Sequence, residues 1–252
     1  HLSPEFGSTY REIEKDGFKI DRTIDMQLTS DTSVGIAKSL GLGTIGFGEA
    51  FHALKPEILV LLGDRFELLA AASAALVALI PIAHIHGGEL TEGAYDDAIR
   101  HSITKMAHLH FGSTEDHCRR IRQMGEEKWR VTMCGAPGLD NLINFPSIPQ
   151  SELESIYGFN LEQPPLLVTF HPVTLELRNV SNQINALISA LKITDIPVVF
   201  TYPNADSSNL TIINAIERFI RNNDNAWLIV NLGTNAYFSL MERAIAMVGN
   251  SS

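Results

Sequence analysis

Ile58-Leu59-Val60-Leu61-Leu62-Gly63-Asp64-Arg65 decides the fold class. Five apolar residues in a row are long enough for a buried strand and too few for a helix. A glycine and an acid then break the run, and an Ala/Leu-rich helical stretch, Phe66 to Leu79, follows at once. Strand, polar turn and helix in that order are half of a βαβ unit. A carboxylate at the end of a buried strand is costly unless it is used or paired. Asp64 therefore has two readings. It is a general acid/base or an anchor for sugar hydroxyls, or it caps a helix starting at Arg65, as aspartate often does.

The same alternation runs outward in both directions. Residues 33–55 read as a helix before the decisive strand. After it come a strand over Pro81 to His86, a Gly- and acid-rich loop over 87–94 and a helix from Tyr95 to Met106. A strand over Leu109 to Phe111, a short helix capped by Thr114 and running to Met124, and a strand over Arg130 to Met133 complete the first series. Between 145 and 165 four prolines bracket a short helix, Ser151 to Tyr157, and this stretch is the expected domain boundary. The pattern then restarts, with strands at 166–170, 198–201, 226–230 and 245–248 and helices at 176–191, 210–221 and 236–244. The expected fold is α/β, with two Rossmann-like domains facing across a cleft, residues 1–150 and 151–252.

Composition narrows the function. The 252 residues are 45% hydrophobic and 19% charged, enough apolar content for large cores, and the net charge of -10 argues against a nucleic-acid binder. An anionic ligand is not excluded, because helix N-termini and single arginines suffice for a diphosphate. The cysteines Cys118 and Cys134 have neither metal-type spacing nor a disulfide pattern and read as reduced cytosolic thiols. No apolar run reaches membrane-span length. The chain opens at His1 without Met and stops after a strand-like run at Gly249-Asn250-Ser251-Ser252, so both ends are expected to lie inside a longer protein.

Parallel sheets bind ligands beyond the carboxyl ends of their strands. Three polar groups fall there and are expected to converge on one rim: Gly63-Asp64-Arg65, His84 and His86 with Gly87-Gly88-Glu89, and His171-Pro172. His84 and His86, two apart on a strand, should share a face. With Glu89, Asp96, Asp97 and His101 nearby, they could serve zinc or manganese, although no helical HxxxH or HExxH pattern is present. The alternative is a structural His84 and a Gly-Gly loop suited to close approach of a ligand. Asp96 with Arg100 and Asp97 with His101 are spaced for surface ion pairs, or else form an acidic helix start aimed at the rim of Asp64. Tyr202-Pro203-Asn204-Ala205-Asp206 and Gly249-Asn250-Ser251-Ser252 add strand-end polar clusters. Gly41-Leu42-Gly43-Thr44-Ile45-Gly46 matches GxGxxG by letter but follows a helical stretch, and the dinucleotide fingerprint needs a strand before it.

Taken as a set, these stretches resemble the UDP-hydrolysing UDP-N-acetylglucosamine 2-epimerases of sialic and legionaminic acid biosynthesis. The resemblance rests on Leu62 to Glu67, His84 to Glu89, Asp96 to Lys105, Gly135 to Asp140, Thr169 to Val173, Tyr202 to Asp206 and Gly249 to Ser252. It implies two domains of the glycosyltransferase B type, here without the first strand and with a truncated second domain. It also implies a cytoplasmic bacterial enzyme without metal or nicotinamide, working as a homo-oligomer (dimer or tetramer) for which the apolar helices at 33–55 and 66–79 offer packing faces. The implied reaction removes the sugar C2 proton as UDP leaves C1, then hydrates the glycal to UDP and the C2-inverted sugar. The substrate is UDP-N-acetylglucosamine or a UDP-2,4-diacetamido sugar; a non-hydrolysing epimerase and a non-catalytic nucleotide-sugar binding fragment are the alternatives.

By the same resemblance Asp64 and Asp96 take the family's acid positions, and His171 lies near the diphosphate and the reacting sugar. Asn204, Ser251 and Ser252 face UDP. Arg65, Gly87, Gly88, Asp97 and Asn250 are expected to bind substrate. His86 stands where relatives carry a catalytic glutamate, so proton transfer falls to His86 or to Glu89. The 252-residue chain alone is expected to bind UDP weakly and turn over little.

Overall fold

A computed structural model describes residues 1–3, 7–26, 32–204 and 208–250, apart from the side chain of Asn144. The chain divides into two compact units, residues 21–140 and residues 141–252 together with 1–20. The sequence put the division at 150/151 and kept residues 1–20 in the first domain. The structure moves it back to the short helix at 140–144. The segment after that helix is tied to the second unit: the Ile148 amide donates to Ser239 Oγ at 2.8 Å and Ser147 Oγ donates to Glu242 at 2.9 Å.

The elements in chain order are α1 (Tyr10–Lys15), α2 (Ser33–Leu54), β1 (Leu59–Leu62), α3 (Phe66–Val77), β2 (Ile82–Ile85), α4 (Asp96–Met106), β3 (Leu109–Gly112), α5 (Glu115–Gln123), β4 (Val131–Met133) and α6 (Asp140–Asn144). Then come α7 (Gln150–Tyr157), β5 (Leu166–Thr169), α8 (Val180–Leu191), β6 (Val198–Thr201), α9 (Asn209–Ile220), β7 (Ala226–Ile229), α10 (Gly233–Arg243) and β8 (Ala246–Gly249). The expected strands and helices are present. Helix α8 starts later than the sequence suggested, after a 3-10 turn over Leu177–Asn179, and α10 starts earlier, at Gly233.

The first unit is a parallel sheet in the order β1-β2-β3-β4. Leu61, His84, His110 and Val131 are register partners across it. Its core joins Leu61 and Ile82 to Phe66 and the alanines of α3, to Ile99 and Ile103 of α4, and to Phe51 of α2. The run Ile58–Leu62 was expected to be buried throughout, but only Leu61 is. Strand β1 is the edge of the described sheet, so Val60 and Leu62, on the other face, remain exposed. The glycines of the GxGxxG match lie inside α2, where Gly43 and Gly46 admit neighbours. A Cβ on Gly43 would stand 2.5 Å from Met26 and one on Gly46 2.5 Å from Ile24.

The second unit's sheet runs β7-β6-β5-β8, all parallel. Period-two alternation splits its strands between two cores. Leu166, Val168, Val198 and Phe200 pack on α8 and α9, while Leu167 and Val199 pack on Leu153 of α7 and Leu240 of α10. Helices on both faces make this a doubly wound unit, and the order 3-2-1-4 reverses direction at β5, the topological switch point where such sheets take ligands. Among the described residues no helix is long and apolar enough to cross a membrane.

Candidate active site

In the first unit the polar residues gather at the carboxyl ends of β1 and β2. Asp64 is not a helix cap. Arg65 occupies the N-cap position of α3 and no side chain caps that helix. The Asp64 carboxylate instead accepts from Arg100 Nη2, a partner that the i,i+4 spacing did not suggest. The Arg100 side chain is only 6% exposed and that of Asp64 19%. Burial of this depth makes the partnership matter, since an unpaired charge there would be far costlier than in solvent. Two further donors of Arg100, Nε and Nη1, are buried without a hydrogen-bond partner. Sequence reasoning missed Arg100 as a site residue because the i,i+4 rule gave it a nearer acid; its burial next to Ile99 was the signal available.

His84 anchors the rim. It is fully buried, with Nε2 2.8 Å from the Gly63 carbonyl and Nδ1 3.2 Å from Thr104 Oγ1. Burial pushes its imidazole down to about 4, against the pull of the Gly63 carbonyl. The ring is therefore neutral at pH 7, with Nε2–H donating to the carbonyl beside Asp64. This is the structural role the sequence offered for it, and it fixes the backbone that carries Asp64.

His84 and His86 do not share a face as expected. Strand β2 ends at Ile85, and His86 adopts a left-handed conformation with φ 65°, so the two-residue alternation stops before it. His86 Nδ1 lies 2.6 Å from Glu89 Oε1. Burial would raise the Glu89 carboxyl, but hydrogen bonds from Ser113 and His86 and nearby positive charge hold it below the usual carboxylate range. Gly87 and Gly88 are buried. The close approach that Gly88 permits is to α5: a Cβ there would stand 2.4 Å from the His117 carbonyl oxygen. The Gly88 carbonyl also accepts from Arg120.

Asp96 and Asp97 form the first turn of α4. Asp97 pairs with His101 at 3.5 Å, as the spacing suggested, and accepts from the Thr91 amide at 3.1 Å. Arg65 lies 3.6 Å from Glu67 and over the Phe66 ring.

In the second unit His171, Asn204 and Asn250 come together at the ends of β5, β6 and β8. The Asn250 side chain clamps the His171 backbone, with Oδ1 accepting from its amide at 2.8 Å and Nδ2 donating to its carbonyl at 3.0 Å. The Asn204 amide donates to His171 Nδ1 at 3.2 Å. Gly249 permits this closeness, because a Cβ there would fall 1.8 Å from the Thr169 carbonyl oxygen. The clamp stands at the β5/β8 switch point of that sheet. Ser251, Ser252, Ala205 and Asp206 lie outside the described residues.

Two Rossmann-like units, one with carboxylates and histidines gathered at its strand ends and one with a polar clamp at its switch point, make an α/β chain of the glycosyltransferase B type. A sequence model described as UDP-N-acetylglucosamine 2-epimerase matches residues 1–252, and the chain belongs to that family. A Campylobacter jejuni protein named GDP/UDP-N,N'-diacetylbacillosamine 2-epimerase (hydrolyzing) is 43% identical over the whole chain. A Legionella pneumophila protein named UDP-N,N'-diacetylbacillosamine 2-epimerase (hydrolyzing) is 34% identical, also over the whole chain. The chain spans 66% of the length of each. Among solved structures, the UDP-GlcNAc 2-epimerase of Methanocaldococcus jannaschii in complex with UDP-GlcNAc and UDP matches with a TM-score of 0.80 at 16% identity, covering 100% of this chain and 69% of that one. The Neisseria meningitidis enzyme bound to UDP-GlcNAc gives 0.76 at 18%, covering 95% and 66%.

Proposed function

We propose that the protein is a hydrolysing 2-epimerase that converts a UDP-2,4-diacetamido sugar to UDP and the free, C2-inverted sugar. The observation that carries this reading is the Asp64–Arg100 and His86–Glu89 arrangement at adjoining strand ends, in a chain 43% identical to a protein named for that reaction. UDP leaves C1 as a base takes the C2 proton, and water then adds across the glycal double bond. His86 is the proton carrier in this account. Its Nδ1–H is engaged by Glu89, which leaves Nε2 to take the proton, and an imidazole suits such work near neutral pH. Glu89 is the orienting partner. Asp64 and Asp96 serve as the further acids at the reacting sugar, and Arg100 holds the Asp64 carboxylate.

His171, Asn204 and Asn250 hold the nucleotide at the switch point of the second sheet, in keeping with its strand order, and Ser251 and Ser252 are assigned to the same ligand from the sequence resemblance alone. Arg65, Asp97, Gly87 and Gly88 are assigned to the sugar side as shaping residues. The two diacetylbacillosamine names favour the diacetamido sugar over UDP-N-acetylglucosamine. The account gives the protein a cytoplasmic location, a place in sialic- or legionaminic-type sugar synthesis and a homo-oligomeric state, with exposed Val34, Ile45, Val77 and Leu79 on and beside α2 and α3 as the surface for self-association. Calorimetric titration with UDP and both candidate sugars, on the unmodified protein and on Asp64→Asn, tests it. The variant is expected to bind UDP normally and to lose turnover; normal turnover would remove Asp64 from the chemistry.

A further inference from the structure

Glu89 has a second set of partners that the reaction scheme does not use. Ser113, at the end of β3, lies with Oγ 2.5 Å from Glu89 Oε1, and His117, in the first turn of α5, lies with Nδ1 2.8 Å from Ser113 Oγ. His117 Nδ1 is itself 3.7 Å from Glu89 Oε1. The direction of these bonds follows from counting protons. A carboxylate oxygen only accepts, so the single hydroxyl proton of Ser113 goes to Glu89. The Ser113 oxygen must then accept from His117 Nδ1–H. The same oxygen of Glu89 receives His86 Nδ1–H from the other side.

The α5 backbone is held against this loop by close contact at Gly88 and by Arg120 on the Gly88 carbonyl. The distance from His117 to Glu89 is thus set by packing and not by a mobile side chain alone. The charged and titratable groups facing Glu89 are His86 from its own loop, His117 from α5 and Arg100 from α4.

We propose that Ser113 and His117 are positioning residues for the Glu89 carboxylate, holding it ionised and aimed at His86 so that the imidazole presents Nε2 to the sugar C2 proton. This rests on the epimerase reading for the identity of the proton and on geometry alone for the chain of contacts. When His86 Nε2 takes the C2 proton, the ring becomes an imidazolium with both nitrogens protonated. Its charge is balanced by Glu89, which stays a carboxylate because Ser113 keeps donating to it while His117 donates to Ser113 in turn. The electron pair of the C–H bond becomes the glycal double bond as UDP leaves with the C1–O pair.

The test uses the longest natural chain carrying this sequence. Ser113→Ala removes the hydroxyl donor, Ser113→Thr keeps it, His117→Ala removes the outer donor and His117→Asn retains an N–H near its position. Two readouts are taken: titration of Glu89 by carbon-13 NMR of the labelled carboxylate, and the pH profile of kcat/KM for UDP release. In Ser113→Ala the Glu89 titration and the acid limb of the profile should both move to higher pH. Its kcat should drop by about tenfold with KM little changed, a fraction of what general acid–base catalysis supplies. His117→Ala should move both in the same direction but less, and the Thr and Asn variants should restore them.

A Glu89 titration unmoved in Ser113→Ala, or one that moves while kcat and the profile of an active enzyme stay put, overturns the proposal. If the unmodified protein releases no UDP, the epimerase reading fails by itself. The NMR titration then still decides whether Ser113 and His117 govern the Glu89 charge.

Discussion

Replacing Arg100 by methionine probes the arrangement at the Asp64 strand end more sharply than any change to Asp64. The substitution keeps much of the aliphatic volume in α4 and removes the guanidinium, leaving the Asp64 carboxylate, whose side chain is 19% exposed, without its Arg100 partner. Breaking a buried pair by removing one partner costs about 3–5 kcal/mol. Two features reduce that figure. Partial solvation relieves Asp64, and the guanidinium's unpartnered Nε and Nη1 already weigh on the native state, so their loss returns about 1 kcal/mol. The expected cost is about 2–3 kcal/mol. A chain of two units has no single unfolding free energy, so the loss is best read unit by unit through native-state hydrogen exchange of α4 and β1 peptides. It should appear as a roughly 30- to 150-fold rise in exchange through the unit's opening. Adding Asp64→Asn removes the stranded charge, so the double variant should be more stable than the sum of the singles by about 2 kcal/mol. Additivity within about 0.5 kcal/mol would mean that the two side chains do not hold each other, and the reasoning about this strand end would fail.

Other consequences are equally open to measurement. His84 should titrate near 4 by NMR, and because its folded value lies below the unfolded 6.5, it lends stability above that value which is lost as pH falls from about 6.5 toward 4, amounting to about 3 kcal/mol; titration near 6.5 would place it outside the core. Gly88→Ala meets both a positive φ of 76° and the His117 carbonyl, so it should cost about 3 kcal/mol or prevent folding of that unit, and hydrogen exchange of α5 peptides within about 0.5 kcal/mol of the parent would contradict the packing of that loop on α5. Asn250→Ala removes both side-chain bonds to the His171 backbone and should weaken UDP binding by about tenfold in calorimetry, whereas unchanged affinity would separate the clamp from the nucleotide.

The fold was legible because its signals are local. Short apolar runs followed by polar turns and amphipathic stretches located every strand, and context alone dismissed the GxGxxG match within α2. The positions of the candidate residues were legible, since Asp64, the His86 loop and His171 all follow the ends of strands. What the sequence hid are pairings between residues far apart in the chain. Arg100 bonds a carboxylate 36 residues away, and no spacing rule contains that pairing. Ser113 drew no reading of its own beside Thr114, which accepts from the His117 amide as the expected cap. His86 was given a strand's alternation one residue past the strand's end. The attachment of residues 1–20 to the second unit left no mark on the pattern at all.

The longest natural chain carrying this sequence, incubated in deuterium oxide with a UDP-2,4-diacetamido sugar, should release UDP and the free, C2-inverted sugar in equal amounts, with one deuterium at C2. A product that still carries UDP, or a free sugar with hydrogen retained at C2, would contradict the hydrolysing epimerase account.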